Sequence, residues 1–245
     1  FIDMTHHIPA QDVRAAAFVL RSAFEYFPPE TVFLVVVDPG VGTDRKPIAV
    51  QKGPRRFIAP DNGVLTYALD AIQGEQHTSE IGQKKFGLAS PLSATFHGRD
   101  IFAPAAAHLA NGVDVASIGS AVDDPVTLPT LRLVERQGII KGEIVYVDHF
   151  GNLITSIGPC RRTSSGQLHI EPLHRTIGTS AEVAHAAQPI GKINLTYGAV
   201  GQQQLLALIG SSGYLEIAVN QGNAAERLNA QPGDTTTLHI SEEDD

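Results

Sequence analysis

Three polar segments sit where an otherwise apolar chain is expected to form loops. The first is Asp38-Pro39-Gly40-Val41-Gly42-Thr43-Asp44-Arg45, which places a carboxylate and a guanidinium seven residues apart. Its glycines allow a tight path and close approach of backbone to a ligand. Asp38 directly follows the apolar run Thr31–Val37, so its carboxylate is expected at the edge of a sheet. A β-turn with a surface ion pair accounts for the same letters. The second segment, Thr95-Phe96-His97-Gly98-Arg99-Asp100, places His97 at a loop–helix junction. An imidazole titrates near neutrality and can serve as a general base there, or it can simply sit on the surface. The third, Asp148-His149-Phe150-Gly151-Asn152, offers a carboxylate for a cation, an aromatic face for a flat ring, and a carboxamide that donates and accepts. Phe-Gly-Asn also suits a hairpin turn.

Other chemistries are less well provided for. Asp3, His6, His7, Asp61, His97 and Asp100 are of types that suit zinc or manganese. No pair has the His-x-x-x-His or His-x-His spacing that puts ligands on one face, so no metal is expected. There is no P-loop, no G-x-G-x-x-G and no G-x-S-x-G elbow.

The elements that must position these segments read as an α/β domain followed by a β domain. Phe1–Met4 reads as a strand already under way when the chain begins. Val13, Ala16, Ala17, Leu20, Ala23, Phe24 and Phe27 share one helical face behind Asp12, and Pro28-Pro29 stops that helix. Thr31–Val37 reads as a strand buried on both faces, as in parallel sheets. Strands are expected at 47–51 and 56–59 around the turn Gly53-Pro54, a short helix at 64–72, and a loop from Pro91 to Gly98 feeding a helix at 99–110. From Gly138 onward the pattern changes to short strands at 143–147, 153–156, 193–197, 205–209, 215–218 and 235–240. The expected fold is therefore a mostly parallel N-terminal sheet flanked by helices, over residues 1–125, with a smaller C-terminal β barrel or sandwich over 136–245. Residues 241–245 read as a solvated acidic tail.

Composition narrows the function. The chain has 245 residues, 42% of them apolar, and a net charge of -8. An acidic chain repels nucleic acid and anionic lipid, which leaves a small ligand or a protein as partner. No apolar stretch reaches membrane-spanning length. Cys160 is the single cysteine, which excludes an internal disulfide and fits a reducing cytoplasm.

Taken in order, the segments are more specific than any one of them. Val36–Gly42 followed by Arg45, Ala-Pro-Asp-Asn-Gly (59–63), His-Gly-Arg-Asp-Ile-Phe (97–102), Asp-His-Phe-Gly-Asn (148–152) and Gly-Tyr-Leu-Glu-Ile-Ala (213–218) follow one another along the chain. This resembles the S-adenosyl-L-methionine (SAM) hydroxide adenosyltransferases, relatives of the fluorinase and chlorinase that make 5′-halo-adenosines. The resemblance runs from Phe1 to about Leu228.

It implies hydrolysis of SAM to adenosine and L-methionine by water or hydroxide at ribose C5′. SAM is then the substrate and no cofactor is required. It implies an Asp-Arg-His triad on Asp38, Arg45 and His97. It also implies substrate contacts from Asp148 to the methionine ammonium, from Phe150 and Asn152 to the purine face and edge, and from Ser211 and Ser212 to the methionine carboxylate. The assembly implied is a homotrimer, with each site between the N-terminal domain of one subunit and the C-terminal domain of the next. The family begins with a strand and a Thr-Asp-Phe-Gly turn whose Asp binds the ribose, and nothing here matches it. Three alternatives remain open at this level: a halide-dependent 5′-halo-adenosine synthase, a non-catalytic SAM- or adenosine-binding module, and a metal-dependent hydrolase. The carboxylate of Asp38 argues against the first, because it would repel a halide.

Overall fold

A computed structural model describes residues 1–88, 92–178 and 180–240. Its contacts divide the chain into two compact units, Phe1–Pro129 and the part from Thr130 onward.

The first unit is a five-stranded sheet between two layers of helix. Its strands are β1 (Val32–Leu34), β2 (Pro47–Lys52), β3 (Arg55–Pro60), β4 (Gln76–Ile81) and β5 (Gly119–Ala121), in the order β1-β3-β2-β4-β5. Its helices are α1 (Val13–Ala23), α2 (Thr66–Asp70), α3 (Gln83–Phe86) and α4 (Ala103–Ala110). Asp12 caps α1 by accepting from the Ala15 N–H at 2.8 Å. Arg55 donates to the carbonyls of Phe24 and Phe27, which closes the turn that follows α1. The two-residue periodicity of the strands sends alternate side chains to opposite faces. Val50, Phe57 and Ala59 pack with Phe33 and with Ala16, Leu20 and Phe24 of the α1 segment. Ala49 and Ile58 pack on the other side with Phe102, Ala105 and Leu109 of the α4 segment. Both faces of the sheet are thus covered.

The helix-flanked α/β unit is as expected, but its sheet is not mostly parallel. Only β1–β3 is a parallel pair; β2–β3, β2–β4 and β4–β5 are antiparallel. The reason lies in the connections. Gly53, at φ +55°, turns the chain between Lys52 and Arg55. So short a loop permits only an antiparallel hairpin, because a parallel pair needs a long crossover. The run 31–37 is also not buried on both faces. β1 lies at the sheet edge, and Leu34 and Val36 are 45% and 43% exposed. Residues 1–4 form no strand; Phe1 and Ile2 are exposed. The expected loop start at Pro91 and the acidic tail at 241–245 lie outside the described residues.

The second unit is a β barrel with a small satellite sheet. Its strands are β6 (Val134–Arg136), β7 (Ile139–Val147), β8 (Leu153–Thr155), β9 (Cys160–Arg162), β10 (Leu168–Ile170), β11 (Arg175–Ile177), β12 (Glu182–His185), β13 (Gln188–Asn194), β14 (Leu205–Ile209), β15 (Leu215–Val219) and β16 (Thr235–His239). The order β16-β12-β13-β14-β15-β8-β7 closes on itself through β16–β7, with β6 added beside β7 and β9-β10-β11 forming the satellite. Closure removes the edges that an open sheet would expose. One short helix, α5 (Ala224–Leu228), follows β15. Ile140, Ile144, Leu153, Leu215, Ile217 and Leu238 are fully or almost fully buried inside. This is the barrel among the two β architectures expected. Among the described residues, no helix is long and apolar enough to cross a membrane.

Candidate active site

The loop after β1 folds back on itself. The Val41 N–H bonds the Asp38 carbonyl, the Thr43 N–H and hydroxyl bond the Gly40 carbonyl, and the Arg45 N–H bonds the Thr43 hydroxyl. Gly42 sits at φ +78°, and a Cβ there would lie 2.6 Å from the Ala94 carbonyl oxygen. Only glycine suits both the backbone conformation and that approach. The result returns Arg45 to Asp38.

Arg45 Nε donates to Asp38 Oδ1 at 3.0 Å and Nη2 to Asp38 Oδ2 at 2.5 Å, a bidentate pair. Both side chains are only 6% exposed. Nη2 also lies 3.1 Å from His97 Nδ1. The guanidinium sits over the Phe102 ring, 5.3 Å from its centroid. Asp38, Arg45 and His97, which are up to 59 residues apart in sequence, therefore meet at one point.

Two details of this cluster have chemical weight. An arginine only donates, so His97 Nδ1 is the acceptor and the ring proton of a neutral His97 resides on Nε2. Second, Arg45 Nη1 is buried and has no hydrogen-bond partner among the described residues. A buried donor left unpaired is costly, so a purely structural ion pair accounts poorly for it.

His97 is held from its C-terminal side. It precedes a single π turn, Gly98–Phe102, that runs into α4; such turns cluster at functional positions. Asp100, buried, accepts from Arg99 Nε at 2.5 Å and from the Ser93 N–H at 2.7 Å. The Arg99 bond and the Ser93 N–H hold the Asp100 carboxyl below the usual carboxylate range. That staple ties the 93–97 loop to the turn.

The third segment lies between β7 and β8. Asp148 Oδ1 accepts from the Phe150 and Asn152 N–H groups at 2.8 and 2.9 Å, and Oδ2 from Asn152 Nδ2 at 2.9 Å. Asp148 thus organises its own loop, burying Asn152 while Phe150 stays 72% exposed. Gly151, at φ +81°, lies so close to Asn223 that any Cβ would collide with it. Ser211 and Ser212 lie in the turn between β14 and β15, closed by the Gly213 N–H on the Gly210 carbonyl at 2.9 Å. Of the metal candidates, Asp3 pairs with His6 on the surface and Asp61 accepts from the Val126 N–H. Among the described residues, no three His, Cys, Asp or Glu side chains come together as a metal site.

Sequence reasoning assigns no role to Tyr197 or to Glu216. The Tyr197 hydroxyl donates to Glu216 Oε1 at 2.6 Å, and Glu216 is 6% exposed. Burial pushes the Glu216 carboxyl up; the Tyr197 bond opposes this and the nearby Asp148 reinforces it. The signal was present, since Glu216 is a lone charge inside the apolar strand 215–219. A raised carboxyl favours the protonated form in the folded state. The stability it contributes is complete below the unfolded glutamate range, near pH ~4.3, and is lost as pH rises through the folded value. Glu216→Gln, which still accepts from Tyr197, should therefore raise Tm at neutral pH. That gain should shrink toward zero in acid. Thermal unfolding from pH ~4 to ~8 checks this, and a gain independent of pH would contradict it.

Comparison with known proteins gives these positions a family. Residues 1–119 match the SAM hydroxide adenosyltransferase N-terminal domain and residues 142–237 the C-terminal domain. A protein from Salinispora tropica named (R)-S-adenosyl-L-methionine hydrolase is 40% identical over 235 residues, covering 95% of this chain and 84% of that one. A fluorinase from Actinopolyspora mzabensis is more distant, at 27% over 259 residues, with 95% and 84% covered. A crystal structure of an uncharacterized conserved protein from Thermotoga maritima superposes with a TM-score of 0.83 at 36% identity, covering 97% of this chain and 88% of that one. With both of its domains matched, the chain belongs to the SAM hydroxide adenosyltransferase family.

Proposed function

We propose that the chain hydrolyses SAM to adenosine and L-methionine by attack of water or hydroxide at the ribose C5′. The observation that carries this is the buried Arg45, bonded to Asp38 and His97 and left with the two N–H groups of Nη1 to give. Family membership supplies the substrate.

The sulfonium of SAM is already a good leaving group, so methionine departs without acid assistance. What remains is to hold an oxygen nucleophile opposite the C5′–S bond, and alignment of this kind is worth roughly 7–11 kcal/mol. Arg45 stays protonated and cannot be a base; its Nη1–H is the donor that holds and polarises the oxygen. His97 Nδ1 is occupied by Arg45, and its other nitrogen carries the proton in the neutral ring. To accept a proton His97 must therefore first rearrange its bond to Arg45. A carboxylate has about four lone-pair sites and Asp38 uses two on Arg45. Asp38 and His97 therefore both orient the guanidinium, and an attacking water loses its proton to solvent or to a free lone pair of Asp38 as the C–O bond forms.

By the same family resemblance, Asp148 would meet the methionine ammonium, Phe150 and Asn152 the purine, and Ser211 and Ser212 the methionine carboxylate. The exposed ring of Phe150 suits a stacking role. The assembly is a homotrimer whose sites combine the first unit of one subunit with the second unit of its neighbour. Its place is the cytoplasm, in keeping with a lone thiol.

The test is product analysis with purified full chain and each sulfonium epimer of SAM, in the presence and absence of halide. Adenosine and methionine in equal amounts, from the R epimer above all, support the reading. Homocysteine products, or halide-dependent 5′-halo-adenosine, would overturn it.

A further inference from the structure

The turn Ala59-Pro60-Asp61-Asn62-Gly63 carries polar groups that none of the roles above uses. Asn62 Nδ2 donates to the Val37 carbonyl at 2.9 Å, and Val37 immediately precedes Asp38. The Asp61 backbone N–H donates to the Lys46 carbonyl at 2.9 Å, and Lys46 immediately follows Arg45. One turn therefore holds both ends of the loop 38–45, whose two ends carry the two halves of the buried ion pair.

The turn is itself braced. Asn62 Oδ1 accepts from the Val64 N–H at 3.2 Å, an Asx-type arrangement that fixes the carboxamide and aims its N–H at Val37. On the far side, Asp61 Oδ1 accepts from the Val126 N–H at 2.8 Å. Gly63 is at φ +88°, and a Cβ there would lie 2.9 Å from Leu128 Cγ, so only glycine suits this end of the turn. The bidentate geometry of Asp38 on Arg45 depends on where the Asp38 backbone is placed, and the last backbone group before it is bonded to this side chain.

We propose that Asn62 is a positioning residue: its carboxamide N–H fixes the Val37 carbonyl and thereby sets the Asp38 carboxylate against Arg45. This rests on the catalytic reading of Asp38 and goes beyond it by naming what holds that carboxylate in place. A purely local role in the turn predicts something different, because the turn uses Oδ1 and the clamp uses Nδ2.

Asn62→Ser and Asn62→Asp separate the two. Both keep an oxygen for the Val64 N–H and both lose the carboxamide N–H that reaches Val37, the serine hydroxyl being one bond shorter; only one adds charge. Adenosine release by the full chain, with kcat, KM for SAM and Tm, is measured for each variant and for Asn62→Ser in an Asp38→Ala background. The expected result is a fall in kcat of about 10- to 100-fold in both single variants, as for a misplacement of the order of 1 Å. KM and Tm should stay close to wild type, and Asn62→Ser should cause no further loss once Asp38 is alanine. Full kcat in both single variants, a loss in Asn62→Asp alone, or the same fold-loss on the Asp38→Ala background would overturn the proposal. Wild-type turnover in Asp38→Ala itself would instead overturn the catalytic reading on which it rests.

Discussion

Asp38→Ala and His97→Ala are each expected to lower kcat by about 10²–10⁴ while the affinity for SAM changes little, the usual scale for a lost acid–base or orienting group. The geometry explains why each matters. Asp38 fixes the guanidinium plane through two bonds, and His97 takes the third from the same nitrogen that bonds Asp38. Removing either frees Arg45 to turn and misdirects Nη1. Arg45→Lys should be as harmful. An ammonium cannot reproduce a planar fork that serves Nε and Nη2 together, and it leaves a carboxylate that is 6% exposed partly unpaired. Tm is expected to fall in that variant, so activity is measured well below it. Near-wild-type turnover in all three folded variants would mean that the cluster is a structural ion pair and the chemistry lies elsewhere.

The second large effect concerns assembly. The cluster at Asp38, Arg45 and His97 supplies the donor for an oxygen nucleophile, whereas the Asp148–Asn152 loop presents Phe150, 72% exposed, as a face for the purine. If the site joins two subunits head to tail in a closed ring, the contact is heterologous and the ring cyclic. His97→Ala and Asp148→Ala chains, each nearly inactive alone, should then complement when mixed with verified subunit exchange. In a one-to-one random mixture about a quarter of the sites combine two intact faces, so about a quarter of wild-type activity should return. A site built within one chain predicts no recovery, because every chain carries one lesion. Folded mixed oligomers that stay inactive would contradict the shared site.

The loops that carry Asp38, His97 and Asp148 were legible because each combines glycine with charge after an apolar run. Gly42 and Gly151 prove to be required where a Cβ would meet Ala94 or Asn223. Strand β14 was read at its observed limits, 205–209, because its apolar run is uninterrupted. β4, Gln76–Ile81, was not read: its buried Thr78 and Ser79 show no hydrophobic alternation. The strand expected at 193–197 is β13, Gln188–Asn194, displaced toward the N-terminus because Pro189 and Gly191 hide its first half, while Tyr197 opens a short 3₁₀ turn; β12 has no counterpart among the expected strands. The sheet was wrongly expected to be mostly parallel because an apolar run does not reveal its neighbours. Within the site, the convergence of the three polar residues followed from their shared expected position, but the clamp by Asn62 did not. Its evidence is a bond to a main-chain carbonyl, which leaves no trace in residue types. Glu216 did leave one, a single charge in an apolar strand.

The central claim is that this chain delivers solvent oxygen to C5′. Incubating the full chain with SAM in water enriched in heavy oxygen, and locating the label by mass spectrometry, tests it most directly. Label in the 5′-hydroxyl of adenosine, with methionine unlabelled, is the predicted result. Adenosine without label, or label in a product that still holds the C5′–S bond, would contradict it.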